Sequence, residues 1–340
     1  MFGIEATAYD RKVYEEQLRD FLPDKLVDIH VHLTTLDMKF SKKSHAGIQT
    51  WPSLVAPDCS FEDLMASYKT MFPGKQVYPV LMTSPDCRLH LGNPYALKYA
   101  KENGLPALYC TCHDTPLEEI RQAFANGCCG IKPYLNHSPA YIPADEIRIY
   151  DFLTPAHLEL MNELGGVVIL HIARPGRLND PVNLAQLMEI DEKYPNAKVI
   201  VTHIGRAYYP NSLGNAFDTL KHSKHLLFDF TANTFEPAMT ACIEAVGVKR
   251  FMFGSDMPIT KMRMYRVTEP NTYINVVPRG LYGDVSYDPH MREVDGEDIT
   301  TFMYEELLAF KASAEKLGLS KADVVDVLCH NADRLFNMSL

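Results

Sequence analysis

Eight short runs of apolar, β-branched and aromatic residues recur along the chain, and this recurrence is the feature that most restricts its fold. Each run is followed by a turn and then by a helical pattern. Strands that show no polar alternation are typical of parallel sheets, which helices cover on both faces. Eight such strands are the number that closes a (β/α)8 barrel. The predicted strands occupy residues 26–33, 76–82, 106–112, 129–135, 166–171, 197–203, 225–230 and 250–256.

An open, doubly wound sheet is the alternative arrangement of parallel strands. It would normally carry a glycine-rich phosphate loop after an early strand, and the chain has neither a GxGxxG motif nor a P-loop. We therefore predict an α/β protein in which residues 1–340 form one TIM barrel. Segments 34–75 and 258–296, which follow the first and eighth strands, exceed ordinary connector length, so they are predicted to be insertion loops over the mouth. The predicted helices include an N-terminal one ending near Pro23 and the segments 116–125, 154–164, 183–194, 235–245, 298–316 and 321–336.

The charge balance of the chain excludes some classes of partner. With 43 acidic and 33 basic residues the net charge is −10, which argues against binding to nucleic acid or to anionic membranes. The N-terminal segment has the pattern of an amphipathic helix rather than a signal peptide, and no run is apolar enough to span a bilayer. The eight cysteines lack the spacing of a zinc knuckle. We expect a cytoplasmic protein that binds a small-molecule substrate, with a homo-oligomer as a further expectation.

Polar residues with metal-binding side chains stand at the carboxyl ends of four predicted strands. In a parallel barrel those ends converge on one mouth, where imidazole and carboxylate groups suit a divalent metal ion. Alternate residues of a strand share a face, so Asp28 is predicted to point with the two histidines of strand one, and Val201 with the histidine of strand six. The residues at the strand ends are His30, His32, His171, His203 and Asp256.

The chain resembles the amidohydrolase-related branch of the amidohydrolase superfamily. The resemblance rests on Asp28-Ile29-His30-Val31-His32, His171, His203, Gly254-Ser255-Asp256-Met257-Pro258 and Asn331-Ala332-Asp333-Arg334-Leu335-Phe336. It implies a barrel in which His30, His32, His171 and Asp256 hold one metal ion while His203 lies beside it. The branch includes lactonases and other hydrolases, a few hydratases, and non-oxidative decarboxylases of aromatic or muconate-type acids.

Physical chemistry agrees with that implication. A divalent metal ion held by imidazoles and a carboxylate lowers the pKa of water toward about 7 and so supplies a nucleophile. Asp256 and His203 are the predicted catalytic residues: Asp256 would transfer the proton to the leaving group, and His203 would hydrogen-bond the water or the scissile carbonyl. The prediction is a metal-dependent hydrolase of a lactone, ester or amide bond in a small, carboxylate-bearing substrate. Decarboxylases of this branch often have Glu-x-His on strand one, although some keep His-x-His. The alternative is therefore a metal-dependent lyase, either a non-oxidative decarboxylase or a hydratase, that acts on an aromatic or unsaturated acid.

Four further residues are candidates for binding the substrate. Arg174 and Arg206 each follow a site histidine by three residues, so they could form a fork for a substrate carboxylate or a salt bridge on the rim. Lys132, which shares a strand face with Tyr134, could bind a substrate carboxylate, pair with an acid, bridge two metals as a carbamylated lysine, or be structural. We therefore expect one divalent metal ion, with zinc first and manganese, iron or cobalt as alternatives. A second ion is expected only if Lys132 is carbamylated. His137, Asn136, Tyr141 and Trp51 are further candidates for the pocket wall.

Overall fold

A computed structural model describes residues 5–39, 58–296 and 298–340 of the protein. Trp51 and the centre of the first predicted insertion lie outside these residues. All eight predicted strands are present, although most are shorter than the apolar runs that predicted them. They are β1 (Lys25–Leu33), β2 (Gln76–Thr83), β3 (Leu108–Thr111), β4 (Gly130–Pro133), β5 (Val167–Leu170), β6 (Lys198–Val201), β7 (Leu227–Asp229) and β8 (Phe251–Met252).

The eight strands form a nearly closed parallel barrel, as predicted. β1 pairs with β2, and β3 to β8 form a six-stranded sheet in sequence order. Parallel bridges between Leu81 and Ala107 and between Val31 and Met257 join the two sheets. Beyond the short strand β8, Asp256 N–H donates to the carbonyl of His30 at 2.8 Å, so the last strand segment is held against the first.

Helices connect the strands, and residues typical of helix caps stand at their ends. Thr154 caps the helix that begins at Pro155, and Gly165 ends it in the left-handed conformation. Ser320 and Asp323 form a capping box. The N-terminal helix continues as a π-helical turn, Tyr14–Leu18, and a second π turn, Asp326–His330, interrupts the last predicted helix. The principal helices are Ala8–Val13, Phe61–Met71, Leu89–Asn103, Leu117–Ala125, Pro155–Leu164, Pro181–Lys193, Ala216–Leu220, Glu236–Val246, Phe302–Leu317, Lys321–Val325 and Asn331–Phe336.

The second predicted insertion contains a small sheet of its own. Its strands are β9 (Tyr265–Glu269), β10 (Thr272–Pro278) and β11 (Met291–Val294). The central strand β10 pairs antiparallel with β9 and parallel with β11. The side chains of Arg266 and Tyr273, on β9 and β10, reach the cavity at the mouth of the barrel. This segment is therefore an ordered wall of the cavity.

Two apolar clusters place the core. The larger one fills the layer between strands and helices and includes Val31 and Val201. The smaller one lies inside the barrel, includes Val27, Ile29 and Ile200, and is packed against the C-terminal helix. Within the described residues no helix is long and apolar enough to cross a membrane.

His30 and His32 point the same way, as predicted, but the faces predicted for Asp28 on β1 and for Val201 on β6 are wrong. The register of β1 against β2 shifts between Asp28 and Val31. Because of this irregularity, Ile29 and His30 both lie on the inner side, whereas Asp28 accepts a hydrogen bond of 2.7 Å from Tyr68 of the helix Phe61–Met71. Val201 likewise belongs to the outer cluster, so it does not share a face with His203.

Candidate metal centre

The structure brings three of the four predicted metal ligands into one buried group. Among the described residues, His30, His32 and Asp256 offer ligand atoms that all lie within 4.8 Å of one another. His32 Nε2 lies 3.4 Å from Asp256 Oδ1, and His30 Nε2 lies 3.7 Å from the same oxygen. The three side chains meet at the carboxyl ends of β1 and β8, as the convergence of strand ends predicted.

The outer nitrogens of the two imidazoles indicate that a cation fits this group. His32 Nδ1 lies 3.2 Å from the carbonyl oxygen of Thr83, which can only accept, so Nδ1 carries the proton and Nε2 is left with a lone pair. His30 Nδ1 lies 2.8 Å from Thr202 Oγ1. The two Nε2 atoms and the Asp256 carboxylate would then face each other as acceptors. His30 Nε2 also lies 3.2 Å from Lys132 Nζ, and a metal ion would satisfy all three groups in place of that contact.

His171 and His203 stand next to this group and not within it. The ring centres of His171 and His203 lie 4.9 Å apart, and the ring centre of His203 lies 5.2 Å from that of His30. His171 Nδ1 is buried without a hydrogen-bond partner in the described part of the chain. A buried nitrogen that lacks a partner is compatible with its predicted role as a metal ligand. His203 Nδ1 lies 2.7 Å from the carbonyl oxygen of Thr231, which leaves Nε2 of the neutral ring as an acceptor.

Asp229 on β7, which the sequence analysis did not single out, organises the histidines from below. It is fully buried, and its Oδ1 accepts hydrogen bonds from the backbone N–H of His203 at 2.7 Å and from the Thr202 hydroxyl at 3.1 Å. Its Oδ2 lies 3.6 Å from His30 Nδ1. A polar residue at the end of a strand is the signal that could have identified Asp229. The predicted strand extends to residue 230, so Asp229 lies inside the predicted run, whereas it is the last residue of the observed strand.

Burial sets the protonation of the group. Burial and the nearby Lys132 hold the pKa of His30 well below its ordinary value, and burial with the neighbouring His203 does the same for the pKa of His171. Burial also lowers the pKa of His203. Burial opposes ionisation of Asp256, but the contacts with His32 and His203 hold its pKa below the ordinary value. Neutral imidazoles beside an ionised carboxylate are the forms that bind metal.

The backbone around Asp256 is specialised. Asp256 and His203 have positive φ values of 59° and 57°. Residues other than glycine rarely adopt this backbone conformation, and it is often found at functional sites. Gly254 precedes Asp256 at a point of close approach. A Cβ atom on Gly254 would lie 2.7 Å from His30 Cβ and 2.4 Å from Thr231 Oγ1. Glycine is therefore required for β8 to hold Asp256 against His30.

Lys132 and Tyr134 occupy different positions, although Lys132 lies in β4 and Tyr134 directly follows that strand. Lys132 is fully buried, and its Nζ lies 3.2 Å from His30 Nε2. Burial lowers the pKa of Lys132 to about 8, against the opposing effect of Asp256 and Asp229. Lys132 is not among the residues that line the cavity, whereas Tyr134 does line it and packs on His171 with ring centres 4.9 Å apart.

The two predicted arginines also separate. Arg206 lines the cavity at the mouth, brought there by a left-handed turn in which Ile204, Gly205 and Arg206 all have positive φ. Arg174 Nε instead donates to Asp180 Oδ1 at 3.0 Å, and its Nη1 donates to the carbonyl of Glu146. Arg174 is not a lining residue, so its geometry matches the rim salt bridge, one of the two alternatives for this residue.

The cavity has a volume of about 330 Å³, at the lower end of the range for small-molecule sites. His30, His32, His171, His203 and Asp256 line one part of it. Asn136 lines it as predicted, whereas His137 and Tyr141 do not, and Tyr141 is 86% exposed. The remaining wall includes residues with no sequence signal of their own, because they come from the second insertion and from distant loops. These are Tyr208, Ala232, Arg266, Tyr273 and Phe302.

The fold and the site together define a barrel protein with a candidate metal centre. A family model described as Amidohydrolase matches residues 27–274, which is most of the chain. The chain therefore belongs to the amidohydrolase family, and the resemblance found in the sequence is confirmed. No curated protein matches this sequence.

Solved structures with the same fold cover nearly the whole chain at low identity. A probable 2-pyrone-4,6-dicarboxylic acid hydrolase from Acinetobacter baumannii with citric acid bound is 16% identical, with a TM-score of 0.55 over 92% of this chain and 99% of that one. An amidohydrolase from Burkholderia multivorans with bound zinc is 13% identical, with a TM-score of 0.60 over 92% and 99%. A 2,6-dihydroxybenzoate decarboxylase from Rhizobium is 12% identical, with a TM-score of 0.59 over 94% and 100%.

Proposed function

We propose that this protein is a metal-dependent hydrolase that cleaves a lactone, ester or amide bond in a small, carboxylate-bearing substrate. The observation that carries the proposal is the group of His30, His32 and Asp256, which face one another at a cavity that Arg206 also lines. The proposed ligands are these three residues and His171, whose Nδ1 has no partner in the described chain. Zinc is the first choice because imidazole and carboxylate ligands suit it, and a structural neighbour contains bound zinc.

When bound, the metal ion supplies a Lewis acid that activates water and polarises the scissile carbonyl. The residues of this chain then handle the protons. Asp256, whose pKa is held below the ordinary value by His32 and His203 in spite of burial, can accept a proton and deliver it to the leaving group. His203 donates from Nδ1 to the Thr231 carbonyl, so its Nε2 can accept a hydrogen bond from the attacking water. This favours the water rather than the scissile carbonyl as the partner of neutral His203.

A lyase is the second candidate. It has specific support in the similarity of the fold to the 2,6-dihydroxybenzoate decarboxylase from Rhizobium, whereas the probable hydrolase from Acinetobacter baumannii supports the first candidate. The 2-pyrone named for the Acinetobacter baumannii protein is a cyclic ester. Retention of His-x-His on β1 is why we place hydrolysis first.

The test combines metal analysis with two substrate panels. The purified protein is stripped with a chelator, reloaded with zinc, manganese, iron or cobalt, and offered lactones, esters and amides as well as hydroxylated aromatic acids. Acid release without carbon dioxide would support the hydrolase, and carbon dioxide release would support the lyase. A protein that binds no metal and turns over neither panel would contradict both.

A further inference from the structure

The three-stranded sheet of the second insertion contributes a guanidinium to the cavity. Arg266 on β9 lines the cavity, and its Nε donates to Asn275 Oδ1 on β10 at 2.9 Å. Its Nη1 lies 3.4 Å from the carbonyl oxygen of Ala232, another lining residue. One contact from the sheet, to Asn275, and one from the barrel, to Ala232, therefore hold the guanidinium in one orientation. A site that binds a planar anion requires such a fixed orientation.

Aromatic rings fix the same guanidinium from its faces. The Arg266 Cζ lies 4.8 Å from the ring centre of Tyr208, 4.4 Å from that of Tyr273 and 4.9 Å from that of Phe302. Stacking of this kind stabilises an arginine in a partly buried site. Nη2 of Arg266 has no hydrogen-bond partner among the described residues, so this end of the guanidinium stays available for a ligand.

No carboxylate of the described residues forms a salt bridge that balances the charge of Arg266. Among the described residues, no acid forms a salt bridge with Arg266 or with Arg206, whereas Lys39, the other cation of the cavity wall, lies 3.6 Å from Asp86. Glu306 is the acid that acts on Arg266 from a distance, and burial raises its pKa well above the ordinary value, which favours the neutral form. Cations in a partly dry cavity are costly unless an anion joins them.

A second guanidinium strengthens the same local positive charge. Arg177 is only 8% exposed and lies on the rings of Tyr208 and Tyr273, 5.1 and 5.3 Å from their centres. Its Nη1 is buried without a hydrogen-bond partner in the described residues. Two arginines therefore share one pair of tyrosines, and this side of the cavity favours a negatively charged ligand.

We infer that Arg266 binds one carboxylate of the substrate and that Arg206 binds another, so that the cavity selects dicarboxylates over monocarboxylates. This rests on the proposed function in taking the cavity as the substrate site. Arg266 would act as a specificity residue that positions the substrate, and it would take no part in proton transfer.

Binding of unreactive probes tests the inference. The metal-loaded protein is titrated calorimetrically with succinate, glutarate and adipate, and with the monoacids of equal carbon number, butyrate, valerate and hexanoate. We expect the preferred diacid to bind about tenfold more tightly than its monoacid partner, and Arg266→Met to reduce this preference to about twofold or less. Arg292→Met is the matched control, because Arg292 is an exposed arginine on β11 that does not line the cavity. It should keep the wild-type preference.

A conservative variant covers the case in which Arg266→Met fails to fold. Arg266→Lys keeps the charge but loses the fork, so we expect the preference for the diacid to fall at least about threefold. Equal binding of diacids and monoacids by the wild-type protein, or a wild-type preference in a folded Arg266→Met or Arg266→Lys variant, would overturn the inference.

Binding and turnover separate this inference from the proposed function. A protein that selects diacids through Arg266 but hydrolyses nothing would contradict the proposed function alone. An active hydrolase whose Arg266→Met variant keeps its KM and its diacid preference would contradict only the inference.

Discussion

The Nδ1 atom of His30 lies 2.8 Å from the hydroxyl oxygen of Thr202, and that hydroxyl in turn donates to Asp229 at 3.1 Å. His30 on β1 is thereby oriented by residues at the ends of β6 and β7. Hydrogen bonds to the distal nitrogen of a ligating histidine fix its tautomer and ring orientation. This chain of contacts links three strands to the side chain of His30, which is a proposed metal ligand.

We expect Thr202→Val to weaken zinc binding by roughly 10- to 100-fold, because His30 Nδ1–H would lose its acceptor in a buried site. Competition with a chromophoric chelator measures the affinity. Thr202→Ser is the control, since it retains the hydroxyl and should bind zinc like the wild-type protein. Unchanged affinity in the valine variant would show that Thr202 does not orient His30.

Replacement of Asp256 by Asn should reduce kcat/KM by roughly 10²–10⁴-fold while leaving the barrel folded. The amide keeps the size of the side chain but cannot accept a proton from water and pass it on. Steady-state kinetics on the substrate found in the panels, together with circular dichroism, measures both effects. Full activity in this variant would rule out the proposed role of Asp256.

The number of metal ions per chain decides the role of Lys132. Lys132 Nζ lies 3.2 Å from His30 Nε2, so we expect its amine to contact the centre rather than to bridge two ions. Mass spectrometry of the loaded protein should then find one ion per chain, both in the wild type and in Lys132→Ala. The exposed Lys198 provides the control variant Lys198→Ala. Two ions in the wild type, with loss in Lys132→Ala alone, would instead show a carbamylated bridge.

Glu306 should make the stability of the protein fall as pH rises. It is fully buried, its Oε2 accepts the N–H of Ala232 at 2.6 Å, and its Oε1 has no hydrogen-bond partner among the described residues. Burial raises the pKa of Glu306 well above its ordinary value. Its stabilising contribution is thus fully present below the unfolded pKa and is lost as pH rises through the folded pKa. The slope from this one group is at most about 1.4 kcal/mol per pH unit.

Glu306→Gln removes this titration while an amide oxygen can still accept from Ala232. We expect the free energy of unfolding of the variant to gain on that of the wild type as pH rises from the unfolded value of about 4.3 toward neutrality. Urea denaturation at a series of pH values measures the difference. Glu315→Gln, at an exposed position on the same helix, should run parallel to the wild type. Parallel curves for Glu306→Gln as well would contradict the prediction.

The local sequence was sufficient to predict the barrel and most of its polar strand ends, although Asp229 at the end of β7 was not among them. Strands buried on both faces need long apolar runs, and the capping residues Thr154 and Ser320 act on backbone groups only a few residues away. His30, His32 and Asp256 were predicted to meet because the carboxyl ends of parallel strands converge. All three conclusions depend on short-range patterns or on a general property of the fold.

Only the tertiary structure decided which groups face each other at the centre. The register shift in β1 turned Asp28 toward Tyr68 and brought His30 inward, although strict alternation had placed the two on one face. Arg174 pairs with Asp180 beside its own loop, while Arg266, 92 residues beyond Arg174 in the chain, reaches the cavity from the inserted sheet. Bulges, left-handed turns and the docking of an insertion depend on contacts between segments distant in sequence, which a local pattern does not encode.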